Sequence, residues 1–107
     1  MIKEKYDNRI IEIAQTYGYE TQSRQCIEEM AELTQAINKL WRISIKKGVK
    51  EFKDLRIEKE YKNLIEEIAD VQIMIDQMKL LSNCGHIVPS IIDSKLNREI
   101  QRIKKVT

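Results

Sequence analysis

Apolar residues recur at helical spacing along most of the chain. Ile10, Ile11, Ile13 and Ala14 open the pattern, with Asp7 or Asn8 placed to cap a first helix running to about Tyr17. Gly18 stands where a left-handed C-cap is wanted. Thr21 or Ser23 can start a second helix that runs to about Ile45. Its Cys26, Met30, Leu33, Ile37 and Leu40 fall within about 80° of arc, one core stripe. Trp41 lies on the core side and is expected to pack there, with stacking on a base as the lesser alternative, and Gly48 ends the helix.

Residues 49 to 56 are charged and weakly patterned, which suits a connection with at most a short helical turn. A third helix from about Glu58 to Leu81 repeats the stripe with Tyr61, Leu64, Ile68, Val71, Ile75 and Met78. Ile65, Ala69, Ile73 and Leu80 give it a second apolar face, so it is either central in the fold or shared with a second subunit. Ser82 to Pro89 reads as a loop. Ser90 can cap a last helix, with Ile92, Leu96, Ile100 and Ile103 as its buried row. The expected architecture is an all-α antiparallel four-helix bundle, one domain over residues 1–107.

Composition narrows the partners. One Pro and three Gly leave little material for a turn-rich β-fold. A net charge of +2 without long Lys/Arg clusters argues against nucleic acid. No run of about 18 apolar residues occurs, so no membrane span is expected. The first residues lack the apolar core of a signal peptide. Cys26 and Cys84 have no metal-ligand spacing and read as a core residue and a loop thiol, and a cytoplasmic setting is the expectation.

The candidate chemistry lies in a repeat. Cys26-Ile-Glu-Glu-Met-Ala-Glu-Leu33 returns, conservatively changed, as Leu64-Ile-Glu-Glu-Ile-Ala-Asp-Val71. Each copy carries two acids one helical turn apart on one face, Glu29 with Glu32 and Glu67 with Asp70. On the stripe's wheel Glu29 and Glu67 sit at its edge, while Glu28 and Glu66 point outward. Four carboxylates meeting across two helices would repel one another, and a bound cation removes that cost. An all-oxygen donor set suits Mg²⁺ or Mn²⁺.

The plainer reading is that these acids pair with Lys or Arg on a solvated face. It suffices for any single such pair, and the duplication weighs against it. A di-iron bundle would need Glu-x-x-His on two helices. The sole histidine, His86, lies in the expected loop and reads as a surface residue. No base stands beside a nucleophile, and no phosphate-binding glycine loop is present. Lys95, Arg98 and Arg102 share a face of the last helix, and Lys39 lies on nearly the same face as Glu32. Near a carboxylate–metal centre such cations suit a polyphosphate.

Glu29-Met-Ala-Glu32-Leu followed by Glu67-Ile-Ala-Asp70-Val resembles the ExxE…ExxD signature of the MazG-like all-α nucleoside triphosphate pyrophosphohydrolases. That superfamily includes dimeric dUTPases and phosphoribosyl-ATP pyrophosphohydrolase. The resemblance spans about residues 8 to 104 and implies a MazG-like bundle completed in a homodimer or homotetramer. It implies Glu29, Glu32, Glu67 and Asp70 as Mg²⁺ ligands, and Lys95 and Arg102 as phosphate contacts. The implied reaction is cleavage of a (deoxy)nucleoside triphosphate to monophosphate and pyrophosphate, serving nucleotide-pool housekeeping. Two features depart from the family pattern. The stretch between the motifs is lengthened by the charged segment around 46 to 62, and Glu99 replaces an Asn often found between the last-helix cations. The competing expectation is a catalytically idle helical module for dimerisation or partner binding.

Overall fold

The computed structural model describes residues 5–106. Among them the only regular elements are helices: α1 (Asn8–Lys47), a 3₁₀ turn (Leu55–Ile57), α2 (Glu58–Leu81) and α3 (Val88–Val106). Asp7 caps α1 by accepting from the Arg9 backbone N–H at 2.8 Å, and it also holds the Arg9 guanidinium at 2.6 Å. The first two expected helices follow one another within α1 and are separated by a kink at Gly18, whose φ of 81° and ψ of 170° lie outside helical space. Gly18 therefore kinks the helix where a C-cap was expected. Only a residue without Cβ takes that conformation at little cost. Gly48 does end α1, in the left-handed conformation with φ 64° and ψ 31°.

α1 and α2 form an antiparallel hairpin. Its buried positions on α1 are Ala14, Gln22, Ser23, Cys26, Ala36 and Leu40. Cys26, Glu29, Leu33, Ala36 and Leu40 thus follow alternating three- and four-residue steps, the spacing of two helices packed nearly antiparallel. This seam is rotated from the expected stripe. Met30 and Ile37 are half exposed, and Trp41 is 64% exposed instead of packed. Small side chains let the two backbones approach, so Ala36 and Ser23 are buried where bulkier neighbours are not. On α2 the seam runs through Leu64, Glu67, Val71, Met74 and Met78 with the same steps. On the second apolar face Ile65 and Ile73 are exposed, at 49% and 44%.

One polar pair fixes the register. The Gln22 side-chain amide donates to Gln77 Oε1 at 2.7 Å, with both residues buried. A buried amide without its partner is costly, so slippage of either helix is penalised.

The 49–57 connection is ordered by its charges. Asp54 accepts from the Arg56 backbone N–H at 2.9 Å and pairs with its guanidinium. Arg56 also donates to the Lys47 carbonyl at 3.0 Å, and Lys47 Nζ returns a bond to the Arg56 carbonyl at 3.2 Å. These bonds tie the turn to the end of α1 and bury Ile57 against the hairpin.

α3 begins at Val88, so Pro89 lies in its first turn instead of the preceding loop; there a missing N–H costs nothing. The helix has no packed interface with α1 or α2. Its expected buried row is exposed, with Ile92 at 50% and Leu96 at 61%. The Cα radius of gyration, 17.6 Å, exceeds the value of about 13 Å for a compact chain of this length. A single chain is therefore a kinked hairpin with a projecting third helix, not a closed four-helix bundle. No helix among the described residues is long and apolar enough to cross a membrane.

Candidate metal centre

The register set by Gln22 and Gln77 determines which acids meet. Seven residues beyond Gln22, and seven before Gln77, Glu29 lies level with Asp70. Three residues further along α1, Glu32 lies level with Glu67.

Glu29, Glu32 and Glu67 each place one carboxylate oxygen within 4.8 Å of the others. Glu29 and Glu67 sit in the helix–helix seam, deeper than the edge positions expected of them, and Glu32 stands on the exposed side. The shorter Asp70 is exposed and stays outside the three-carboxylate group. Glu28 and Glu66 are exposed, as their wheel positions predict.

The environment of these acids is one-sided. Gln25 Nε2 donates to Glu29 Oε1 at 2.8 Å. The other oxygen, Glu29 Oε2, is buried without a hydrogen-bond partner, and so is Glu67 Oε2. None of the ion pairs resolved among the described residues involves Glu29, Glu32, Glu67 or Asp70. The Glu32 carboxyl is pushed above its ordinary range, first by the negative charge of Glu29, then by lost hydration and the charge of Glu67. Two helices thus each contribute to one cluster a carboxylate that carries an unsatisfied oxygen. A divalent cation with oxygen preference fits that donor set, because it would satisfy the buried oxygens and cancel the repulsion together.

The expected phosphate-binding cations are placed differently. Lys39 is exposed on α1, and Lys95, Arg98 and Arg102 are exposed on α3, which projects away from the hairpin. Arg102 pairs with Glu99 at 3.1 Å. Within one chain none of the α3 cations is brought to the acidic cluster. His86 is exposed, as expected. Cys26 is buried in the seam, and burial raises its thiol pKa.

A feature not anticipated from the sequence lies further along the hairpin. A groove of about 360 Å³ lies between the C-terminal part of α1, the 49–57 connection and the start of α2. Phe52 in that connection stacks on Tyr61, with ring centroids 5.4 Å apart and planes 13° apart. The isolated aromatic in a charged segment was the available signal. No known protein family, curated protein or solved structure matches the chain.

Proposed function

We propose that the chain is a divalent-cation-dependent nucleotide pyrophosphohydrolase whose metal centre is built on Glu29, Glu32 and Glu67. The observation that carries this reading is the pair of buried, unpartnered oxygens, Glu29 Oε2 and Glu67 Oε2, in a three-carboxylate group. The reaction class comes from the ExxE…ExxD resemblance. Asp70, at the pseudo-equivalent position of Glu32, is the fourth ligand candidate, within reach of an ion that draws the acids together.

Bound Mg²⁺ or Mn²⁺ would supply charge neutralisation for the phosphates and a lowered pKa for a coordinated water. Glu29 and Glu67, fixed by the seam, would hold the ion in one place, and Gln25 keeps the Glu29 carboxylate oriented. In the reaction a water oxygen forms a bond to the α-phosphorus while the bond to the bridging oxygen breaks. Pyrophosphate departs with that electron pair, and the proton lost by water passes to a carboxylate or to solvent.

A second copy of the chain belongs to this reading. α3 leaves its apolar row exposed, and Lys95, Arg98 and Arg102 would meet a phosphate at the cluster only if α3 crosses from a partner. The same exposed α3 row favours the alternative reading, a helical module that binds a partner without catalysis.

The two are separated by pyrophosphate release from a panel of nucleoside triphosphates, with Mg²⁺ and with chelator. Release should require Mg²⁺ and disappear in Glu67→Gln and in Asp70→Asn while helicity is retained. Equal release in these variants would overturn the hydrolase reading. Calorimetric silence toward both Mg²⁺ and nucleotides would favour the partner-binding module.

A further inference from the structure

Both helices of the hairpin carry an apolar stripe that the seam leaves uncovered. With Glu29 and Glu67 each taken as zero on its helix, the seam residues centre at about 20°. Between about 80° and 160° lie Ile27, Met30, Ile37, Trp41 and Ile45 on α1. The same arc of α2 holds Ile65, Ile68 and Ile75, and all eight side chains are exposed. In antiparallel neighbours, positions equally far round from the seam lie on the same side of the pair, so the two stripes form one face of the hairpin. Glu32 and Asp70, at about 300°, lie on the opposite face. The groove lined by Ile37, Trp41, Phe52 and Leu64 is the loop end of the apolar face.

That face is uncharged as well as apolar. Over residues 23–45 and 61–75 its remaining members are Ser23, Thr34, Tyr61 and Gln72. A surface that meets its own copy across a twofold sets residues near the axis against themselves, so any charge there is opposed by the same charge. An uncharged face avoids that cost. An anionic lipid surface selects instead for Lys and Arg beside the apolar residues, and neither occurs in this arc over those residues.

The exposed area points the same way. The chain exposes 8753 Å², whereas a folded chain of 12.7 kDa exposes about 6,200 Å². The surplus of about 2,500 Å² matches one subunit's share of a large obligate interface, which buries roughly 2,000–5,000 Å² over both partners. One small molecule in the groove would cover only a fraction of it. We propose that two copies of the chain associate through this face, hairpin against hairpin, so that four long helices enclose Ile37, Trp41, Ile65 and Ile68. Glu32 and Asp70 of both copies then lie on the outer sides. This contact is separate from any made by α3, and it holds whether or not the chain binds metal or hydrolyses a nucleotide.

Sedimentation equilibrium of the full-length protein, from nanomolar to high-micromolar concentration, tests this association. The mass should rise to at least twice the 12.7 kDa of one chain, and chelator should not change it. Trp41 is the only tryptophan and lies inside the contact. Its emission should therefore move to shorter wavelength, and its quenching by acrylamide should fall, as concentration rises. Ile37→Lys and Ile68→Lys, each checked for helicity by circular dichroism, should raise the dissociation constant by roughly thirtyfold or more, the loss of one interface hot spot. Glu28→Lys, on the other side of α1, should leave the mass unchanged. Glu67→Gln should also leave it unchanged, so a failure of the metal centre and a failure of this contact give different results. Where a lysine variant loses helicity, wild-type Trp41 emission and quenching decide. The proposal is overturned by a single-chain mass at every concentration, and binding of that monomer to anionic-lipid vesicles would assign the face to a membrane surface. It is equally overturned by an oligomer in which Trp41 stays as open to acrylamide as in the monomer. Unchanged mass in Ile37→Lys and Ile68→Lys, with dissociation in Leu96→Lys alone, would make α3 the whole contact and overturn it too.

Discussion

Neutralising one seam carboxylate should stabilise the protein when no cation is present, the reverse of what removing a useful side chain does. Glu29 and Glu67 have oxygens within 4.8 Å of each other. Two unit charges at that distance repel by roughly 3.5 kcal/mol at an effective dielectric of 20 and by about 0.9 kcal/mol in bulk water. With part of each carboxylate exposed, the real value lies between those limits. In Glu67→Gln the charge is gone, and the new amide can donate to the unpartnered Glu29 oxygen.

The expected gain in chelator is therefore about 1–3 kcal/mol, which for a domain of this size is a rise in Tm of roughly 4–12 °C. Wild type should behave in the opposite way on adding cation. Ligand linkage gives it about 2.7 kcal/mol at a concentration one hundred times Kd, while Glu67→Gln should gain little. Thermal melts of both proteins in chelator and in millimolar Mg²⁺ give all four values. The reasoning is refuted if Glu67→Gln melts below wild type in chelator, because the carboxylate would then be held by favourable contacts. The raised pKa of Glu32 has the same origin. An acid whose folded pKa is raised contributes stability below its unfolded value of 4.5 and loses it as pH rises through the folded value. Cation-free wild type should thus gain stability from this group as pH is lowered into that window, and Glu67→Gln should gain less.

Asp7 and Asp54 should move the other way with pH. Both are held down to about 2 by their Arg partners, from an ordinary 3.8, so their caps are fully formed above about pH 4 and lost as pH falls through 2. The Arg9 and Arg56 amide shifts should report midpoints near 2, and midpoints near 3.8 would contradict the capping geometry. Gly18→Ala should cost about 1–3 kcal/mol by urea denaturation, because the Gly18 backbone lies in a region almost closed to other residues. Gly48→Ala should cost about 1 kcal/mol, and in both cases the space for a Cβ is open, so strain alone is measured. Gln77→Leu should cost about 1–3 kcal/mol by leaving the buried Gln22 amide unpaired, with part of the loss recovered in Gln22→Leu/Gln77→Leu. If α3 is covered by a second copy, Leu96→Lys should lower the mass found by sedimentation equilibrium without loss of helicity.

Helix positions were legible because they depend on local signals: Asp7 at the start of α1, Gly48 at its end, and an apolar period running from Glu58 to Leu81. The phase of the seam was not. Counting bulky apolar residues selects Met30 and Ile37, yet close approach of two helices favours Ala36, Ser23 and Cys26, with a Gln pair at their contact. Because Glu29 lies on the seam, that error also placed its carboxylate at an edge when one oxygen is buried. The repeat singled out three acids that the fold brings together, Glu29, Glu32 and Glu67, since a 38-residue offset survives any rotation of the stripe. Asp70 separates from the other three through one missing methylene and an outward position, which the pattern alone does not resolve. α3 was read correctly as an amphipathic helix with the wrong outcome for its apolar row. Periodicity says that a face wants cover and is silent on which chain provides it. The groove escaped notice because Phe52 and Trp41 come to line one space through a connection ordered by the Asp54–Arg56–Lys47 bonds, a tertiary consequence of residues that look merely charged.

Whether Glu29, Glu32 and Glu67 hold a divalent cation is open to direct measurement. Titration with Mn²⁺, followed by the loss of the free-ion electron paramagnetic resonance signal, tests it without relying on any substrate. The wild-type chain should bind Mn²⁺ saturably, Mg²⁺ should compete, and the binding should be lost in Glu67→Gln at unchanged helicity. A free Mn²⁺ signal that is the same with wild type, with Glu67→Gln and with buffer would contradict it.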